Sequence, residues 1–282
     1  MDMNEGGRSA DFDLKMMSRR YDFQLEEALG QDWNDGDQFK TILANALSIP
    51  LPSGEKLFIK SVRHYLDQIN DVELKGLVSI FFKQESAHTK EHISYNKLIS
   101  ERRGYNLALL EAPYKSHNEY ISENGDPLSL LATTVCMEHL TAIASHLVIA
   151  DERWVGRADS VVKNFWLWHS LEEVEHKAVA FDVYMDVCGD RDLLVKTMDV
   201  TVGQLCKNLK YTACQMYMME GGKPKEIKAW LESSAVLNAE DGLLKLMERY
   251  IKDFYRDDFH PWDHDNSYLI ASVAAHLDDA MR

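Results

Sequence analysis

Apolar residues recur along this chain at intervals of three and four, the spacing that lines one face of an α-helix. No stretch of useful length alternates apolar and polar as a strand would. Phe39, Ile42, Leu43 and Leu47 share a face and predict a helix over 36–47. Pro50, Pro52 and Gly54 break it, and Ser53 is placed to cap a second helix over 54–69 carrying Leu57, Phe58, Val62, Tyr65 and Leu66. Asn70–Asp71 reads as a turn and 71–103 as a long helix that Gly104 stops. The segment 105–126 is polar and interrupted by Pro113 and Gly125. Further helices are predicted over 127–154, with Pro127 suited to the first turn, over 158–188 and over 191–219. The remainder, 224–282, reads as two or three helices around the aromatic loop Phe259-His260-Pro261-Trp262-Asp263-His264-Asp265, expected at the surface. Residues 1–12 are expected to be disordered.

Six Pro and fourteen Gly are few for 282 residues, which favours long uninterrupted helices. The expected class is therefore all-α, one helical domain over 1–282 with a core in 50–190 and additional helices in 191–282. A formal net charge of −15 repels nucleic acid and anionic lipid, so neither is an expected partner. The four cysteines form no CxxC pair, and Met1 to Ala10 has no apolar core, which points to reduced thiols in a cytoplasmic protein. No run of ~18 uncharged apolar residues occurs, so no membrane span is expected.

Two segments carry chemistry. Glu85-Ser86-Ala87-His88 and Glu173-Val174-Glu175-His176 both read Glu-x-x-His, which on a helix puts a carboxylate and an imidazole on the same face. An isolated glutamate precedes each, Glu55 thirty positions before Glu85 and Glu138 thirty-five before Glu173. The order Glu, Glu-x-x-His, Glu, Glu-x-x-His is the ligand plan of a ferritin-like di-iron or di-manganese bundle. The mixture suits the chemistry: carboxylates bridge two cations and cancel their charge, while imidazoles complete a donor set suited to iron or manganese. His169 lies within about 60° of Glu173 and His176 on the helical wheel and adds a third donor from one helix. His92, within about 20° of Glu85, is a further donor or a hydrogen-bond partner behind the ligands. Glu172 competes with Glu173, which only the motif spacing favours, while Glu175 points away and is expected in solvent. His139 is expected to be a satisfied core histidine and His146 a packing residue or a partner behind the ligands. The aromatic flanks Phe81, Phe82, Phe165, Trp166 and Trp168 place these carboxylates in apolar surroundings, where they need a partner or a metal.

The stretches Glu85-Ser-Ala-His88, Met137-Glu138-His139-Leu140-Thr141-Ala142 and Trp166-Leu-Trp-His169-Ser-Leu-Glu172-Glu-Val-Glu-His176 resemble a bacterial family described as predicted metal-dependent hydrolases, over about 45–270. The ligand spacing also resembles that of para-aminobenzoate N-oxygenase, a ferritin-like di-iron enzyme with an added histidine on its last ligand helix. That similarity implies Glu55, Glu85, His88, Glu138, His169, Glu173 and His176 as the ligands of two iron ions, with manganese or a mixed Mn/Fe pair as variants. The expected activity is O2-dependent oxidation of a small organic substrate, fed by an electron donor. The alternative is hydrolysis by a water activated between two metals. The only His-Asp pair, His264-Asp265, lacks the partners that helical hydrolases of the HD class need, which weighs against it. A third reading is a non-catalytic iron store, but the helices after residue 190 suit pocket walls or a homodimer face better.

Overall fold

The computed structural model describes residues 16–234, 239–240 and 242–281. Twelve α-helices follow one another among them: α1 (Gln38–Ser48), α2 (Leu51–His64), α3 (Val72–Arg103), α4 (Leu107–Asn124), α5 (Pro127–Ala150), α6 (Glu152–Val155), α7 (Ser160–His176), α8 (Val179–Val187), α9 (Arg191–Met219), α10 (Ile227–Glu232), α11 (Leu243–Asp253) and α12 (Ser267–Ala280). The only extended pairing among the described residues is an isolated bridge between Asn34 and Ala158. The expectation of disorder over 1–12 lies outside the described residues.

Aspartates start the long helices. The carboxylates of Asp71, Asp126 and Asp159 accept from two backbone N–H groups each in the first turns of α3, α5 and α7, satisfying donors that the helix itself cannot. Gly104 ends α3 in the left-handed region at φ 73°, where glycine carries no steric cost. The second helix starts earlier than the proline pattern implies. Pro52 sits in its first turn, where a missing N–H costs nothing, and Ser53 bonds back to the Pro50 carbonyl instead of capping.

α2, α3, α7 and α5 close a ring, each packing on two of the others. Two apolar clusters fill this ring. One joins Phe58 and Val62 of α2, Leu74, Val78 and Phe81 of α3, and Leu131 and Val135 of α5. The other joins Tyr95 and Ile99 of α3, Ile143 and Leu147 of α5, and Phe165 and Trp168 of α7. On α3 and α5 the glutamates and histidines singled out above fall between the two clusters, so a polar layer crosses the bundle between apolar ones. α9 lies along α5 and α1, α4 against α2, and α12 against α7.

Four further elements differ from the sequence pattern, the first being the helix expected over 127–154, which ends at Ala150 and is followed by the separate α6. The segment 107–124 is helical despite Pro113, and only its Leu110 and Tyr114 are buried, so its apolar stripe is too sparse to read. The helix expected over 158–188 breaks after His176 into α7 and α8. Nearly every side chain from Val162 to Tyr184 is buried, so no polar stripe marks the break. The loop expected at the surface is anchored instead: His260 and Trp262 are buried, and His260 Nε2 lies 2.9 Å from Asp182 Oδ1. The four cysteines are unpaired, as expected. One helix, α5, is long and apolar enough by composition to cross a membrane, but 67% of its most apolar window is buried inside the bundle.

Phe165 tests the packing of the second cluster, because it is fully buried and stacks on Tyr95 with ring centroids 5.0 Å apart. We expect Phe165→Ala to lower unfolding stability by about 3–5 kcal/mol, read as a fall in the urea midpoint with an unchanged slope.

Candidate metal centre

The ring helices bring all seven predicted residues together: Glu55 from α2, Glu85 and His88 from α3, Glu138 from α5, and His169, Glu173 and His176 from α7. His176 Nε2 lies 3.1 Å from Glu85 Oε1, 3.4 Å from Glu138 Oε2 and 3.6 Å from Glu173 Oε1. His88 Nδ1 lies 3.4 Å from Glu173 Oε1, and His169 Nε2 lies 3.5 Å from the same oxygen. One carboxylate oxygen thus meets a nitrogen of all three histidines. Four overlapping trios, Glu55–Glu85–His88, Glu85–Glu173–His176, His88–His169–Glu173 and Glu55–His92–His169, each bring their donor atoms within 4.8 Å of one another and could hold a metal ion.

Closeness here is not hydrogen bonding. Both carboxylate oxygens of Glu55, Glu85 and Glu138, Oε2 of Glu173, Nδ1 of His88 and Nε2 of His176 are buried without a hydrogen-bond partner. Buried polar atoms are nearly always satisfied, and a cluster of unsatisfied acceptors marks a place for something that is not a side chain. Four carboxylates in an apolar layer also need positive charge nearby. Without a cation, protons supply it. Burial disfavours charge on His88 and His176, but the surrounding carboxylates outweigh it and hold both imidazoles well above their ordinary range. Glu173 is held well below its range, the imidazoles of His176, His88 and His169 overcoming its burial. Burial raises Glu138 to about 8. A metal cation can do the same work by displacing protons from the two imidazoles.

The outward nitrogens of the histidines are fixed by a second layer of hydrogen bonds. His88 Nε2 lies 3.1 Å from Glu172 Oε2, and because a carboxylate can only accept, the nitrogen donates. The other Glu172 oxygen accepts from the Arg19 backbone N–H at 2.6 Å. His176 Nδ1 donates to Gln84 Oε1 at 3.0 Å, since the Gln84 amide nitrogen donates to Glu175 Oε2 at 2.9 Å. The third case is a chain. Asn96 Nδ2 donates to the Ser48 carbonyl, which turns its Oδ1 to the Ser48 hydroxyl at 2.7 Å. That hydroxyl is spent on Asn96, so it accepts from His92 Nδ1 at 2.8 Å. His92 Nε2 therefore accepts from His169 Nδ1 at 3.1 Å. Burial, and then neighbouring imidazoles, lower both rings, His169 to about 3 and His92 well below its ordinary range, which matches two neutral rings. His169 is left with one lone pair at Nε2, and His88 and His176, once a cation displaces their inward protons, with one each at Nδ1 and Nε2, all facing the carboxylates.

The three neighbouring glutamates of α7 separate clearly. Glu173 faces the cluster, and Glu172 sits behind His88. Glu175, expected in solvent, is 2% exposed and holds the Arg19 guanidinium through both oxygens at 3.0 and 2.6 Å. His139 is buried against Phe254 and Phe259, but its Nε2 has no hydrogen-bond partner, so it is not the satisfied core residue expected. His146 bonds Tyr250 rather than any histidine or glutamate of the centre, and His264 pairs with Asp253. Sequence reasoning missed Gln84, Ser48, Asn96 and Arg19. Gln84 precedes His88 by four positions and Asn96 follows His92 by four, so helical spacing places both on the inward face. Ser48 and Arg19 come from distant segments and carry no such signal.

A cavity of about 660 Å³ opens beside the centre, with His169 and Ser170 in its wall. A family model described as predicted metal-dependent hydrolase matches residues 17–265. No curated protein and no solved structure matches the chain.

If the outward hydrogen bonds hold the imidazoles for a metal, removing one must weaken binding without unfolding the bundle. We expect Gln84→Ala and Glu172→Ala each to lower zinc affinity about 10–100-fold by calorimetry, with helical content unchanged. Proton release should accompany zinc binding, and affinity should fall as the pH is lowered, because the imidazoles bind metal only when deprotonated.

Proposed function

The chain belongs to the predicted metal-dependent hydrolase family, and from that premise we propose that it is a hydrolase of small organic substrates built on a dinuclear centre in a ferritin-like core. Glu55, Glu85, His88, Glu138, His169, Glu173 and His176 are its ligands. The observation that carries this reading is the convergence of buried, unpartnered carboxylate oxygens and imidazole lone pairs on one space. Charge supports the number of ions. Four carboxylates carry four negative charges, and two divalent cations cancel them, whereas one leaves the apolar layer with two in excess. Such a pair, when bound, acidifies and orients a water and polarises a substrate oxygen.

The remaining work belongs to the chain. His92, Ser48 and Asn96 hold the His169 ring in one tautomer. Arg19, through its backbone N–H, holds Glu172 on His88, and Gln84 holds His176. The apolar clusters on either side of the layer keep bulk water from competing for the donors.

A second reading keeps the same ligands and exchanges water chemistry for O2 chemistry on two iron ions, or manganese or a mixed Mn/Fe pair, with an electron donor. The carboxylate-rich, oxygen-and-nitrogen donor set and the dryness of the layer favour it. The family description favours hydrolysis.

Anaerobic assays with the zinc- and manganese-loaded protein against p-nitrophenyl esters of graded chain length separate the readings. We expect hydrolysis above the metal-free protein, reduced at least about 100-fold in Glu173→Gln and His176→Ala, whose metal-positioning roles resist substitution. Inactivity toward every ester, together with O2 consumption by the ferrous protein, would transfer the assignment to the second reading. Inactivity in both assays would overturn both.

A further inference from the structure

We infer that the substrate is lipid-like, a molecule with one polar reacting group on an extended apolar body, and that the cavity beside His169 takes that body. This rests on the reading of the cluster as the reactive centre. The cavity, about 660 Å³, is of the size that encloses a whole organic ligand rather than a small metabolite fragment. Its walls come from eight helices, with Leu47 of α1, Leu57 of α2, Leu140 of α5 and Leu209 of α9 among them. Of the seven ligand residues His169 alone is in its lining, and it keeps 4% of its surface exposed, with Glu173 at 3% and Glu55, Glu85, His88, Glu138 and His176 at 0–1%.

The charge of the walls decides the class. Not one aspartate or glutamate among the described residues lines the cavity, although the chain has 46. The only lining side chain with a fixed positive charge is Lys196, which is exposed. Uncharged polar side chains such as Asn118, Thr133, Gln204 and Asn208 share the lining, but most of its surface is apolar, so a sugar, nucleotide or polar amino acid would lose more hydration here than it regains. An alkyl or fused-ring body loses nothing and gains by the area it removes from water. The polar group of such a molecule is then the only part with a reason to sit at the end lined by His169 and Ser170, next to the centre.

A binding measurement tests this apart from turnover. N-phenyl-1-naphthylamine, a neutral apolar fluorophore, is titrated into the zinc-loaded full chain and displaced with 1-dodecanol or 1-butanol. We expect saturable enhancement, displacement by dodecanol at least ten-fold more effective than by butanol, and a loss of probe affinity of at least ten-fold in Ala144→Trp and in Leu47→Trp. These two residues line different walls, so one variant still serves if the other fails to fold, with circular dichroism and zinc content as the check. Equal displacement by the two alcohols, or unchanged probe affinity in a folded Trp variant with zinc bound, would overturn the inference. Probe binding without any ester hydrolysis would leave it standing while the hydrolytic assignment fell. Hydrolysis of acetyl esters with no probe binding would do the reverse.

Discussion

Four carboxylates buried in one apolar layer set the terms for everything around them. Isolated in a low dielectric, each ionised carboxylate is costly enough to take up a proton instead. Placed within a few ångströms of one another, they raise that cost further. Glu55 shows the strain: burial, and then the charge of Glu85, push it well above the carboxylate range. Side chains offer only partial relief: the three imidazoles crowd one oxygen of Glu173, and the contacts of His176 with Glu85 and Glu138 are not hydrogen bonds. The remaining acceptors are left without partners, and the proposed pair of divalent cations would match their charge.

The rest of the bundle is arranged to keep this layer in place. The apolar clusters above and below it hold the four ring helices at fixed separation, so the donors cannot drift toward water or toward one another. Behind each histidine stands a group with only one role open to it: a carboxylate, an amide oxygen, or an imidazole whose own proton is already committed to Ser48. The segment 17–19, with no helix of its own, closes the outer side by bonding Gln84, Glu172 and Glu175 together. Rigidity of this kind favours ion binding, and a cavity of about 660 Å³ adjoins the layer at His169 and Ser170.

Much of this was legible before any coordinates. The repeated Glu-x-x-His is encoded by spacing along a single helix, which survives any tertiary arrangement, and the paired isolated glutamates complete a pattern that chance seldom produces. The boundaries of α3 and α9 were equally clear, because Asp71, Gly104 and the Gly221–Gly222 pair are local signals. Two of the failures share one cause. A helical wheel assumes a wet side and a dry side, but α7 is buried all round, so Glu175 had no solvent to face and took Arg19 instead. The break after His176 was hidden for the same reason. α4 failed in the opposite sense, being so exposed that its apolar stripe vanished. Arg19 and Ser48 act across long sequence separations, and contacts of that kind leave no trace in local patterning.

The proposed function requires two cations in the polar layer. A crystal of the manganese- or zinc-loaded protein, measured at the absorption edge of that metal, locates the ions by anomalous scattering without reference to any activity. Two peaks inside the ring of α2, α3, α5 and α7, each within coordinating distance of Glu173 or Glu85 and of at least one of His88, His169 and His176, are the predicted result. A fully loaded protein whose anomalous peaks lie elsewhere, or a layer that stays closed by protonated carboxylates in the presence of metal, would contradict it.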